Sequence, residues 1–385
     1  MNAVGRFVVF LTLLWASTPP AAASSIADSM AADSAAAPTE YFQSAGPLAR
    51  LHLEPYGDVR LWAERVQDRP GAPKTLERQR ATVRTGMGWR PPTSPLEARA
   101  GVRASLGSDR NAESRAAFDN EIADTVEVDE LAVRVATASG DALTLGKMRS
   151  PLDFTELLWD ADLRPVGFAF GLSLARAGIP GARIAGGAFT RSRFSSDDAW
   201  VAAGQVAMGR ASSSGRRVDA VVSYLEPRNL DPLPSRGFAR QNATVARPGG
   251  RDYAARFRTL DLQLATALRW GRVPITLRVE GARNLAVTRE SDAARVRLTL
   301  GGLEAPAGLE LGWLHQRIER EAWVGAFNSD DWWFHTRSRG NLGWAAIGVG
   351  RPVTLRVSGF LERRDDLSKD TRRWRAELIA RLPTP

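Results

Sequence analysis

The chain contains no cysteine. That excludes a disulfide framework, a thiolate zinc or iron–sulfur site, a cysteine nucleophile and a lipidated N-terminal Cys. Histidine is nearly as scarce, with only His52, His315 and His335. None has HExxH or paired-His spacing, and no GxSxG elbow is present, so the sequence offers no histidine-based metal motif and no hydrolase motif. Lysine is also rare. Of 52 basic residues only Lys74, Lys147 and Lys369 are lysine, so the formal charge of +9 rests on arginine. The arginines are spread along the 385 residues rather than gathered into a run, which argues against nucleic acid as a partner. The apolar run at 7–16 is too short to cross a bilayer as a helix.

That run is read as an address. Arg6 precedes it and Ala21, Ala22 and Ala23 follow, the pattern of a signal peptide over residues 1–23. Residues 24–47 are rich in Ala and Ser without a sustained period, and read as a flexible leader. Residues 48–385 form the remaining domain.

Within it the dominant signal is period two. Leu96, Ala98, Ala100, Val102, Ala104 and Leu106 alternate with Glu97, Arg99, Gly101, Arg103 and Ser105. A helix could not sort these residues onto two faces; a strand does. The same alternation runs through 80–90, 168–174, 260–270, 275–280, 295–300, 353–358 and 374–382. No stretch of comparable length keeps a helical period. The fold class is all-β.

The connections alternate in length. Short ones lie near 91–95, 139–141, 177–182, 212–216, 271–272, 301–307 and 350–352. Between them lie 67–79, 108–124, 150–166, 195–198, 227–252, 288–292, 322–338 and 364–371, most of them longer and richer in Asp, Asn, Arg and Pro. These links join about 16 strands, with about 23 residues for each strand and its connection. Even strand number, tight turns at one end and larger loops at the other describe a transmembrane antiparallel β-barrel, with short periplasmic turns and longer extracellular loops.

Alternation alone would also suit a soluble sandwich with its apolar face inward. Three features favour the barrel. So many strands would enclose water instead of a packed core. Closure leaves no unpaired backbone edge in hydrocarbon. Trp89, Trp159, Trp200, Trp270, Trp313, Trp323, Trp332 and Trp333 fall near expected strand ends, as an interfacial girdle requires.

Two segments carry a family likeness. Residues 145–168 run from a strand ending in Gly146-Lys147 through a Pro-containing loop into Leu-Leu-Trp-Asp-Ala-Asp-Leu-Arg-Pro-Val-Gly at 157–167. Residues 331–340 read Asp-Trp-Trp-Phe-His-Thr-Arg-Ser-Arg-Gly before a Gly-rich strand, a two-residue turn and a strand ending near Arg363. Both resemble a porin family of Gram-negative outer-membrane β-barrels, and the likeness extends over most of the chain past Leu48. The resemblance implies an outer-membrane location, contact with outer-membrane lipid and passive passage of small hydrophilic solutes. A homotrimer is expected by analogy with sixteen-stranded porins. Two departures stand out: the chain ends Arg381-Leu-Pro-Thr-Pro385 rather than in an aromatic residue, and its leader is short.

The non-apolar faces supply candidate pore-lining residues: Arg84, Arg99, Arg103, Arg134, Arg278, Arg297, Arg356 and Arg375. Arginine keeps its charge, so such a lining concentrates anions and repels cations. The alternative is a wall merely kept wet by arginines paired with Glu97, Glu280 and Glu377. Weak anion preference is the expectation. The 150–166 loop carries Asp153, Glu156, Asp160, Asp162 and Arg164 beside Phe154 and Trp159, and is expected to enter the lumen and narrow it. Its alternative is an ordinary extracellular loop with Trp159 at the interface. No cofactor, metal or catalytic residue is assigned. His315 falls in phase with outward Leu309, Leu311 and Trp313, and Asp330, Asp331, Asp365 and Asp366 read as solvated loop charges. The competing function is a surface adhesion or binding protein that uses the 227–252 and 322–338 loops for recognition; an outer-membrane enzyme is a third reading.

Overall fold

The computed structural model describes residues 51–71, 74–108, 124–190, 199–211, 216–235, 237–303, 308–349 and 352–382. The signal peptide and leader read from the sequence lie outside these residues. The first half of the described chain forms strands β1 (Leu53–Gln67), β2 (Leu76–Trp89), β3 (Leu96–Gly107), β4 (Thr125–Ala136), β5 (Ala142–Lys147), β6 (Val166–Ser173), β7 (Ala182–Thr190), β8 (Trp200–Ala211) and β9 (Arg217–Arg228). A short helix, Pro232–Ser235, and a hairpin of β10 (Thr244–Arg247) and β11 (Gly250–Tyr253) follow. Then come β12 (Thr259–Trp270), β13 (Val273–Asn284), β14 (Asp292–Gly301), β15 (Leu309–Ile318), β16 (Ser338–Val349), β17 (Val353–Arg364) and β18 (Thr371–Leu382).

All but β10 and β11 belong to one closed antiparallel barrel of sixteen strands. Neighbours in sequence are neighbours in the wall, except that β9 pairs with β12 across the intervening hairpin. Closure comes from β1 against β18, in register from Gly57 opposite Leu382 to Gln67 opposite Arg372. Every strand of the barrel therefore has two partners, and the barrel leaves no edge unpaired.

The alternation resolves into an outer and an inner face. On β3, Leu96, Val102 and Leu106 are exposed outside, whereas Arg103 and Ser105 are buried inside. On β18, Trp374 and Leu382 are exposed while Arg373, Arg375 and Glu377 are buried. Polar and charged residues thus occupy the interior and large apolar ones the exterior, the inverse of a water-soluble β-protein. The short links are tight: Trp270 pairs with Val273 across two residues, with Gly271 at φ 61°. That positive φ suits glycine and the handedness of a hairpin turn.

The apolar core is not between the strands and a second layer. It lies inside the barrel, built by three long connections at one end: 148–165, 229–258 and 319–337. Leu157, Leu158 and Trp159 of the first, Leu230, Leu233, Tyr253 and Phe257 of the second, and Trp323, Val324 and Phe327 of the third are buried in one cluster. That cluster closes against Phe189, Val201, Leu225 and Ile318 of the wall.

This packing corrects the expected tryptophan girdle. Trp159, Trp323 and Trp332 are buried inside with the long connections, while Trp200, Trp270, Trp313 and Trp374 stand exposed on the outer wall. Proximity to a strand end could not separate the two groups. Trp159 finds a stacking partner in Phe327, with ring centroids 5.4 Å apart, and the Trp323 indole N–H donates to the Leu158 carbonyl at 2.7 Å. Buried indoles need such partners, and these loops provide them.

Candidate functional site

The interior is crossed by the 148–165 segment. Its backbone and side chains reach wall residues on both sides of the barrel. On one side Asp153 pairs with Arg183 of β7, and its amide N–H donates to Gln205 of β8 at 2.9 Å. The Thr155 hydroxyl donates to Glu280 of β13, and Glu156 lies 3.7 Å from Arg295 of β14. On the other side Asp162 pairs with Arg84 of β2 and stands 3.9 Å from Arg60 of β1. Arg164 faces Asp129 of β4 at 3.3 Å. A turn fixes the segment internally: the Asp160 carboxylate accepts from the Asp162 and Asp330 amides at 2.7 and 3.1 Å.

The 319–337 segment covers the wall that the first segment leaves open. Asp331 pairs with Arg375 of β18, and the Trp333 amide donates to Glu362 of β17 at 2.7 Å. Trp332 meets Phe360 edge-on at 5.6 Å. Asp331 is therefore not a solvated loop charge, as the sequence reading had it; the guanidinium inside the barrel draws it in.

Between the two segments and the wall lies a cavity of about 60 Å³. Glu156 and Asp331 border it from the inserted segments, and Arg60, Arg297, Arg356 and Arg375 from the wall. Trp344 of β16 stands among them, with the guanidinium carbons of Arg297 and Arg356 4.8 and 4.9 Å from its ring centre. Its indole N–H donates to Glu310 at 2.8 Å. Carboxylates of the inserted segments thus face guanidiniums of the wall across this cavity, and on the wall itself Glu377 pairs with Arg60 at 2.6 Å.

The remaining arginines singled out in the sequence also face inward, but apart from this cavity. Arg99 lies 4.3 Å over the Tyr56 ring and 3.6 Å from Glu130, and Arg134 is 3.0 Å from Glu97, both toward the short-turn end. Arg103 pairs with Glu127. Arg278 lines a smaller cavity with Thr155, Glu280 and Arg295. The eight arginines thus do not form one ring; many are matched by carboxylates on neighbouring strands.

Sequence reasoning missed Arg60, Arg295 and Trp344. Arg60 was recoverable, because Asp58, Arg60, Trp62 and Glu64 alternate on β1 with Val59, Leu61 and Ala63. Trp344 also follows from parity, being out of phase with the exposed Ile347 and Val349 of β16. Gly312 on the neighbouring strand leaves space for its indole, where a Cβ would come within 1.9 Å of the ring. Gly312→Val is therefore expected to dislodge Trp344 and cost about 1–3 kcal/mol, read as a lower urea midpoint with a shifted indole emission.

The inserted carboxyls differ in their electrostatics. Burial alone would raise Asp162, but Arg84, Arg60 and Arg103 hold it well below its ordinary value. Asp331, half-buried, is held low by Arg375 and Arg60. Burial pushes Asp153 upward against the pull of Arg183. A depressed carboxyl stabilises the folded arrangement above its unfolded pKa and loses that contribution as pH falls through its lower folded value. The Asp162 and Asp331 anchors are therefore expected to hold through mildly acid pH and release only below the ordinary carboxylate range. Trp159 emission followed across an acid titration checks this; release already near neutral pH would contradict it.

No family model matches the chain, and no curated protein matches it in sequence. Solved structures do match in fold. OprB of Pseudomonas putida superposes with a TM-score of 0.61 at 9% identity, covering 87% of this chain and 95% of that one. OmpF of Salmonella typhi, solved with daunomycin, gives 0.52 at 10% identity over 86% and 97% of the two chains. A loop-deletion mutant of OmpT, an outer membrane protein of Vibrio cholerae, gives 0.51 at 9% identity over 86% and 99%. The closed barrel, the inverted polarity of its wall and these superpositions agree: the chain has the porin-like fold of outer-membrane β-barrels.

Proposed function

We propose that the protein is an outer-membrane diffusion channel for small hydrophilic solutes, with weak preference for anions and no enzymatic role. The observation that carries this reading is the inverted wall: exposed Leu, Val, Phe and Trp outside and Arg, Glu, Asp and Gln inside a closed sheet. Such an exterior is stable in hydrocarbon, and such an interior is stable only when wet. The cavity beside Arg60, Arg297, Arg356 and Arg375 is where a passing solute meets most positive charge. Glu156 and Asp331 on the inserted segments and Glu377 on the wall moderate that charge, which is why the preference is weak. Asp153, Glu156, Asp160, Asp162 and Arg164 act as the constricting segment, and assembly as a homotrimer, carried over from the resemblance, is tested by crosslinking in membranes.

The adhesion reading loses ground for a physical reason. The connections it would use as a display surface bury their large apolar residues inside the barrel instead of presenting them outward. Swelling of liposomes holding the refolded protein tests the proposal. Entry of small neutral sugars, with faster entry of sugar acids of similar size, is the expected result. Liposomes that fail to swell with any small solute would refute it.

A further inference from the structure

The outer wall carries a second arrangement that solute passage does not use. Strands β15 to β18 lie side by side, and their register sets outward-facing residues in rows. Nearest the long-loop end, Arg317 pairs with Arg339, and Arg339 with Arg363. Two residues further along, His315, Asn341, Leu361 and Arg372 are aligned. After two more come Trp313, Gly343, Gly359 and Trp374.

Like charges directly opposite across a ladder repel each other. Arg317 and Arg363 are partly compensated, by Glu319 at 3.3 Å and Asp370 at 2.7 Å. Arg339, exposed between them, has no ion-pair partner among the described residues. Below this row the wall is hollow. The Trp374 ring lies over Gly359, and no heavy atom comes within 4 Å of where a side chain on Gly343 would begin. Trp313 and Trp374, 44% and 59% exposed, border that trough. It runs about 14 Å along the strands from the arginine row.

We propose that this face binds a phosphate-bearing anionic lipid, with the phosphate on Arg317, Arg339 and Arg363 and an acyl chain in the Gly343 trough. The inference rests on the reading that the outer wall faces lipid. An anion converts the repulsion within the row into attraction, and guanidinium forks match phosphate oxygens. Tryptophans beside the trough suit the boundary between headgroup and hydrocarbon. The two parts lie one above the other on the same strands, as head and tail of one amphiphile require.

Native mass spectrometry of the refolded full chain in detergent, titrated with phosphatidylglycerol, tests this. Wild type is expected to retain phosphatidylglycerol, with at least about fivefold loss in R317Q/R339Q/R363Q and a smaller loss in R339Q. Gly343→Leu, which fills the trough, is expected to reduce retention with the arginines intact. Heat-modifiable gel mobility reports folding of each variant, and R339Q alters only an exposed side chain should the triple variant fail. Undiminished retention in R339Q and Gly343→Leu overturns the proposal. Displacement of the lipid by millimolar inorganic phosphate assigns the row to a free anion and also overturns it, as does an arginine-dependent dimer peak, which would mean a second copy occupies the face. Failure of the lipid-facing reading looks different: the wild type itself would lack heat-modifiable mobility and stay soluble without detergent.

Discussion

Replacing residues 152–163 with a short Gly-Ser link is expected to raise single-channel conductance about threefold or more. The segment is anchored to opposite sides of the barrel, at Arg183, Gln205 and Glu280 on one side and at Arg60 and Arg84 on the other. It therefore occupies cross-section that would otherwise be solvent. Its removal also strips Trp159 from Phe327 and takes away the Leu158 carbonyl that accepts from Trp323, so the 319–337 segment should loosen with it. The sixteen paired strands do not depend on these contacts, and heat-modifiable mobility should survive. A folded variant whose conductance stays at the wild-type level would mean that the segment does not limit flow.

The second large effect concerns charge. Arg297 and Arg356 flank Trp344 at the cavity, facing Glu156 and Asp331. On the channel reading proposed above, converting both to Glu changes the sign of the wall beside the cavity, where permeating ions would pass within a Debye length of about 10 Å. R297E/R356E is expected to reverse the zero-current potential in a KCl gradient, from weakly anion-preferring to cation-preferring. Glu156→Gln with Asp331→Asn should move it the opposite way. An unchanged potential in both variants would locate selectivity elsewhere along the lumen.

How much of this was legible in the sequence follows from the range of the forces involved. The barrel wall was readable because each strand carries its own record. Leu96 to Leu106 on β3 sorts into two faces locally, and the turn at Gly271 needs no distant partner. The interior was less readable because it is assembled from remote segments. Trp159 and Trp323 are apolar residues near strand ends in sequence, and only their mutual packing with Phe327 draws them inside. Trp344 faces inward by the parity of its own strand, but the glycine of β15 that makes room for its indole is set by cross-strand register, which no single strand's alternation encodes. The hairpin of β10 and β11 lay inside a segment read simply as a long connection. The carboxylates of the 148–165 segment were identifiable by composition, but their partners Arg60, Arg183 and Arg295 follow from the tertiary fold alone.

The outer rows of β15–β18 belong to the same class. Arg317, Arg339 and Arg363 are unremarkable singly in an arginine-rich chain and become a feature only through register.

Single-channel recording of the purified, refolded protein in planar bilayers bears most directly on the idea that hydrocarbon surrounds this sheet and water fills it. Discrete conductance steps that diminish as the permeant ions are made larger are the outcome this structure requires. A bilayer that stays silent, with the polypeptide recovered freely dissolved in buffer lacking detergent, would contradict it.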